Sequence, residues 1–161
     1  MQELTGSLAA PGYRFAIVVS RFNGEITDGL LMGARARLTE ASVRDEDLTI
    51  VRVPGAFEIP LAAQHAAESS RYDAIVCLGC LIRGETAHFE YISSAVSQGL
   101  TVAAAATGVP MSFGVLTTNS VEEALARAGD GSGNKGHEAA VAAIEMAEIV
   151  AQLTRQATPG T

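Results

Sequence analysis

His88, Glu58 and Phe22 are the residues of this chain best placed to do chemistry together. His88 closes the run Gly79-Cys-Leu-Ile-Arg-Gly-Glu-Thr-Ala-His88, which leaves an apolar strand (Ala74 to Leu78) through a polar turn holding Arg83, Gly84, Glu85 and Thr86. The imidazole then sits in the first turn of a helix. A strand's carboxyl end followed by a helix start is where open α/β sheets place ligands. The helix start offers unpaired N–H groups and a positive dipole end to an anion. An unperturbed imidazole titrates near ~6.5, so this spacing points to proton transfer on an anionic substrate. Phe22, after an earlier strand, supplies an aromatic ring, and Glu58, after Pro54-Gly55-Ala56-Phe57, a carboxylate amid free backbone groups. Those parts suit a flat heterocycle with polar substituents. Each has a plainer role: Phe22 packing under a helix, Glu58 favoured by the dipole of a first helical turn, His88 a surface residue. Their convergence on one rim favours the functional reading.

The rim depends on alternating strands and helices. Arg14 to Ser20 is a near-continuous apolar run, as in strands buried on both faces of a parallel sheet. Ile26 to Glu40 reads as a helix with Ile26, Leu30, Leu31, Ala34 and Leu38 on one face. Leu48 to Val53 is the second strand, and Phe57 to Ser70 a helix that tolerates Pro60 in its first turn. Ala74 to Leu78 extends toward Ile82 as the third strand, His88 to about Ala105 is a long helix, and Met111 to Thr117 is the fourth strand. Ser120-Val-Glu-Glu123 is a capping-box pattern opening a short helix to Ala128. Gly129 to Gly136 reads as a flexible loop. The last helix, His137 to Arg155, should carry Glu138, Glu145 and Gln152 on its wet face and Val141, Ile144 and Ala151 on its dry one. This order predicts an α/β fold: a parallel sheet with helices on both faces, in one domain over 1–161, with an N-terminal arm or edge segment (1–11) and a frayed tail (157–161).

Composition excludes several classes. Net charge is −7 with no basic stripe, which argues against nucleic acid. No apolar run approaches the ~18 residues that span a bilayer, and Met1 to Pro11 lacks the pattern of a signal peptide, so no membrane role and a cytoplasmic location are expected. With 48% apolar residues and no Trp, the core is built from Ala, Val, Ile and Leu, and the apolar excess hints at surface buried between subunits. Cys77 and Cys80, three apart on a strand, should face opposite sides, which disfavours a disulfide. His65, His88 and His137 show no metal-ligand spacing. There is no G-x-G-x-x-G after the first strand, no P-loop, no nucleophile elbow and no hydroxyl-rich phosphate loop of the flavodoxin kind in Ser20-Arg21-Phe22-Asn23-Gly24.

Six segments, in order, resemble the 6,7-dimethyl-8-ribityllumazine synthase family: Arg21-Phe22-Asn23, Val53-Pro-Gly-Ala-Phe-Glu-Ile-Pro60, Gly79 to His88, Phe113-Gly-Val-Leu-Thr-Thr-Asn119, Arg127-Ala-Gly129 and Asn134-Lys-Gly-His-Glu-Ala-Ala140. The resemblance implies a flavodoxin-like three-layer sandwich with a four-stranded parallel sheet. It implies a transferase that condenses 5-amino-6-(D-ribitylamino)uracil with 3,4-dihydroxy-2-butanone 4-phosphate, releasing water and inorganic phosphate with no cofactor and no metal.

The same resemblance implies roles. Phe22 stacks on the pyrimidine; Glu58 accepts from ribityl hydroxyls; Ala56 and Phe57 contribute backbone groups; Gly55 allows their close approach; and Cys80, Leu81 and Ile82 line the pyrimidine site. Glu85 and Thr86 contact the butanone, Arg127 binds its phosphate with Lys135 adding charge, Phe113 closes over the ring from a neighbouring subunit, and His88 shuttles protons. It further implies homopentamers with active sites shared between adjacent subunits. The short Gly129–Gly136 loop favours closure into a sixty-subunit icosahedral shell, for which riboflavin synthase is the candidate cargo. The alternatives are a non-catalytic lumazine- or flavin-binding or shell-forming relative, and riboflavin synthase of the related small type, against which Arg127 argues.

Overall fold

The computed structural model describes residues 1–157, and its centre is a strand with no exposed residue. Strand β1 (Phe15–Ser20) is buried along its whole length, because parallel neighbours flank it and helices cover both faces. It pairs with β2 (Leu48–Val53) on one side and β3 (Ala74–Ile82) on the other, and β3 pairs with β4 (Met111–Thr118). All pairs are parallel, in the order β2-β1-β3-β4. The chain therefore leaves β1 toward one edge and returns to its other side as β3, which makes the β1/β3 boundary the switch point where such sheets open a crevice. The expected flavodoxin-like sandwich is what the chain adopts.

Strand alternation divides the core in two. Phe15, Ile17, Val19, Val76, Leu78 and Cys80 face helices α1 (Gly24–Glu40) and α5 (Lys135–Ala157). Ala16, Val18, Ile75, Cys77 and Val115 face α2 (Ile59–Glu68) and α3 (His88–Thr107). Cys77 and Cys80 thus lie on opposite faces as expected, and both are free. The short helix α4 (Val121–Ala126) starts at Ser120, whose Oγ accepts from Glu123 N–H. Glu123 answers one residue earlier than in a standard capping box, its carboxylate accepting from Asn119 N–H.

Several boundaries differ from expectation for local reasons. The second helix begins at Ile59, because Ala56–Glu58 form a tighter 3-10 turn, and it stops at Glu68, ahead of Ser70 with its left-handed φ of 58°. The last helix begins at Lys135, not His137, because Asn134 Oδ1 accepts from the N–H groups of Gly136 and His137. The side-chain amide of Asn134 also donates to the Gly29 and Gly129 carbonyls, so this end of the expected flexible loop is pinned against α1. The dry face of α5 is Gly136, Ala139, Ala140, Ala143, Ile144 and Ala147; Val141 and Ala151 are only half-buried. Small residues are needed there: a Cβ on Gly136 would stand 1.9 Å from the Leu30 carbonyl oxygen of α1.

Residues 1–11 form no strand and lie across the helices. Leu8 O accepts from Arg37, Ala10 N–H donates to Ala41 O, and Thr5 O accepts from Gln152. Of the expected tail, Ala157 ends α5, and 158–161 lie outside the described residues. Among the described residues, no helix is long and apolar enough to cross a membrane.

Candidate active site

The carboxyl ends of β1, β2 and β3 open into a cleft of about 810 Å³ beside the start of α3. Its first wall is the turn after β1. Asn23 adopts the left-handed conformation (φ 59°, ψ 45°), which asparagine tolerates better than most residues. It offers no side-chain cap to α1. Its amide instead donates to Cys80 O (3.0 Å), tying the turn to β3. Arg21 N–H donates to Val53 O and Phe22 N–H to Pro54 O, so the turns after β1 and β2 hold each other. Phe22 is left 70% exposed at the cleft mouth. A ring that exposed contributes little to the fold and has its face available for stacking.

The second wall is the segment after β2. Gly55, Ala56, Phe57 and Glu58 all line the cleft. Gly55 is extended (φ −146°), and a Cβ there would come within 3.1 Å of Glu58 Oε2. Beneath the segment, Gly79 of β3 leaves room for Ile59 and Ala56, which a Cβ would meet at 3.0 and 3.5 Å. Phe57 is 59% exposed, like Phe22 out of the core.

The third wall runs from β3 into α3: Cys80, Leu81 and Ile82, then Gly84, Thr86 and His88. Burial pushes the Cys80 thiol up to about 11, so at neutral pH it is a neutral wall group and not a nucleophile. The α3 N-cap position is Ala87, which has no capping side chain; Thr86 Oγ1 accepts from His88 N–H at a long 3.4 Å. The helix start therefore retains donor capacity toward the cleft. Glu85 is exposed on the turn and does not line this cleft.

The remaining predicted residues gather elsewhere. Phe113, Arg127 and Lys135 line a separate depression of about 390 Å³ between β4 and α5, with Glu138. Register explains the separation: Phe113 pairs with Cys77, three residues below Cys80 and so about 10 Å down the sheet at ~3.3 Å per residue. Within the depression, Arg127 donates to the Glu123 carbonyl (2.9 Å) and has no carboxylate partner among the described residues. Lys135 N–H donates to Arg127 O, and its ammonium is held by Glu138 at 2.8 Å. A free guanidinium beside a half-neutralised lysine at a helix start suits a phosphate.

One chain thus presents two separate recesses: an apolar cleft holding a carboxylate and an imidazole, and a cationic depression roofed by a half-exposed phenylalanine. Three residues outside the predicted set belong to the same rim. Asn23 and Asn119 brace turns, and Arg83 bridges β3, β4 and α3. All three were legible as residues that follow strand ends; the bridging of Arg83 to Asn119 and Glu90 was not. A family model described as 6,7-dimethyl-8-ribityllumazine synthase matches residues 12–151.

Proposed function

Because the chain belongs to this transferase family, whose reaction condenses 5-amino-6-(D-ribitylamino)uracil with 3,4-dihydroxy-2-butanone 4-phosphate to 6,7-dimethyl-8-ribityllumazine, we propose which of its residues carry each step. The pyrimidine occupies the 810 Å³ cleft. Phe22 stacks on its ring, an offset contact worth about 0.5–1.5 kcal/mol beyond area burial. Glu58 accepts from ribityl hydroxyls, with the 55–57 backbone and the Cys80–Ile82 wall fixing the ring edge.

The butanone phosphate sits at the start of α3, beside Thr86 and Glu85. Its dianion is held by Arg127, assisted by Lys135, and Phe113 covers the ring. Those three residues come from a neighbouring copy. What supports this is the separation of the two recesses within one chain. The outer edge of β4 is unpaired, and Phe22, Phe57 and Phe113 all stand exposed, as expected of surfaces closed by a partner. A pentamer satisfies the arrangement, and the family's closure into a shell, with riboflavin synthase as cargo, follows as the larger assembly. A cytoplasmic location is part of this reading; among the described residues, no helix is long and apolar enough to cross a membrane.

Chemistry then follows from His88. The pyrimidine amine attacks the ketone carbon to give a carbinolamine, and a protonated imidazole assists loss of water to the imine. A neutral imidazole next takes the carbon-bound proton, and inorganic phosphate leaves as the enol forms. The enol tautomerises to a carbonyl, the ribitylamine closes the ring onto it, and water leaves again. General acid–base assistance of this kind contributes about 10²–10⁴-fold.

Subunit complementation tests the arrangement. His88→Ala and Arg127→Ala variants, each slow alone, are co-refolded and assayed for the lumazine chromophore. Recovery toward a quarter of wild-type activity is expected, since random mixing leaves about that share of interfaces with both native halves. No recovery in mixed oligomers would overturn the shared site.

A further inference from the structure

Arg83 does not line the cleft, yet its side chain connects more of the rim than any predicted site residue. Its Nε donates to Asn119 Oδ1 (3.0 Å), and its Nη1 pairs with the Glu90 carboxylate. The guanidinium lies over the Phe89 ring, 4.5 Å from the centroid. Its own N–H donates to Thr118 O (2.8 Å), and Asn119 N–H donates to Glu123. One residue thereby ties the ends of β3 and β4, and the start of α4, to the first turn of α3.

Side-chain capping of that turn is otherwise weak. Ala87 gives no side-chain cap, and the Thr86 contact to His88 N–H is long. The residues gripped by Arg83 are Phe89 and Glu90, which follow His88 directly. The Glu90 carboxylate also accepts from its own backbone N–H at the helix start; that contact, then Arg83, holds its carboxyl below the usual range and keeps it ionised for the pair at neutral pH.

We propose that Arg83 is a positioning residue that acts through His88: by clamping Phe89 and Glu90 it fixes the first turn of α3 and so the place of the imidazole in the cleft. This rests on His88 being the proton-transfer group. Placement matters at this scale because a displacement of ~1 Å at a reacting group costs about 10²-fold in rate.

The experiment measures kcat and KM for both substrates on the assembled enzyme. It compares Arg83→Gln, Arg83→Lys and Glu90→Gln, each with His88 present and in a His88→Ala background. With His88 present, Arg83→Gln should lower kcat about tenfold, part of the ~10² that misplacement can cost. Both KM values should stay within about twofold, the usual scatter of independent sites. Arg83→Lys should recover part of the loss by keeping the ion pair without the fork. In the His88→Ala background, Arg83→Gln should change nothing further. Equal losses in both backgrounds, or a raised KM with unchanged kcat, would overturn the clamp alone. An unchanged rate for His88→Ala by itself would overturn the role of His88 and the clamp with it. Should Arg83→Gln not fold, Glu90→Gln, at a half-exposed side chain, carries the same expectations.

Discussion

The cleft above β1, β2 and β3 and the depression beside β4 and α5 are built from opposite chemistries. The cleft wall holds no lysine or arginine; it carries three phenylalanine rings, two of them exposed, with backbone groups, one carboxylate and one imidazole. The depression has two cations, one already paired with Glu138, and a single ring. A flat, neutral heterocycle gains from the first environment and a phosphate dianion from the second. Keeping them apart within one chain prevents Glu58 from neutralising Arg127.

Substitutions can break this division of labour. The largest effect should come from the cleft: His88→Ala is expected to lower kcat by about 10²-fold or more while leaving pyrimidine affinity intact. Steady-state rates and calorimetric titration with the pyrimidine check both parts. Next is the depression. Arg127→Ala removes a charge-assisted contact worth about 1.5–3 kcal/mol, or about 10–100-fold, from the phosphorylated substrate and should spare the pyrimidine. Equal losses for both ligands would dissolve the comparison. Lys135→Ala should cost less than Arg127→Ala in the same assay, because Glu138 already neutralises that ammonium. Phe22→Ala should weaken only the pyrimidine, by a few-fold up to about tenfold.

The smallest effect concerns the thiols. Burial raises Cys77 to about 12 and Cys80 to about 11 from 9.0. Folding therefore favours the neutral thiols. That contribution is full below pH 9 and is lost as pH rises through about 11 to 12, because the unfolded chain ionises first. Iodoacetamide should label neither cysteine at neutral pH unless the protein is unfolded, as mass spectrometry would show. Rapid labelling of Cys80 would mean a thiolate in the cleft and a less neutral wall than the structure describes.

Much of the fold was legible because its signals are local. The unbroken apolar run of β1 marked a strand buried on both faces, and the Ile26–Leu38 spacing marked the inner face of α1. The cleft was legible for the same reason: Phe22, Glu58 and His88 each follow a strand end, and parallel strands bring their ends to one rim. The α5 seam was misread because its inner face is alanine and glycine, which a pattern built on large apolar residues passes over. The Asn134 cap was missed because its signal is a side chain satisfying two amides ahead of it, not a periodicity.

Sequence by itself determined the element order, the parallel sheet, the opposed cysteines and which residues stand at strand ends, because side-chain period and turn residues act over a few positions. Tertiary structure alone decided three other matters. The register of β4 on β3 sets Phe113 beside Cys77 and away from the cleft. The packing of α5 on β4 groups Lys135 with Arg127. The approach of β3, β4 and α3 makes Arg83 a bridge to residues 7 and 36 positions away. Each depends on pairings between distant segments, whose energies are fixed only once the whole sheet is in place.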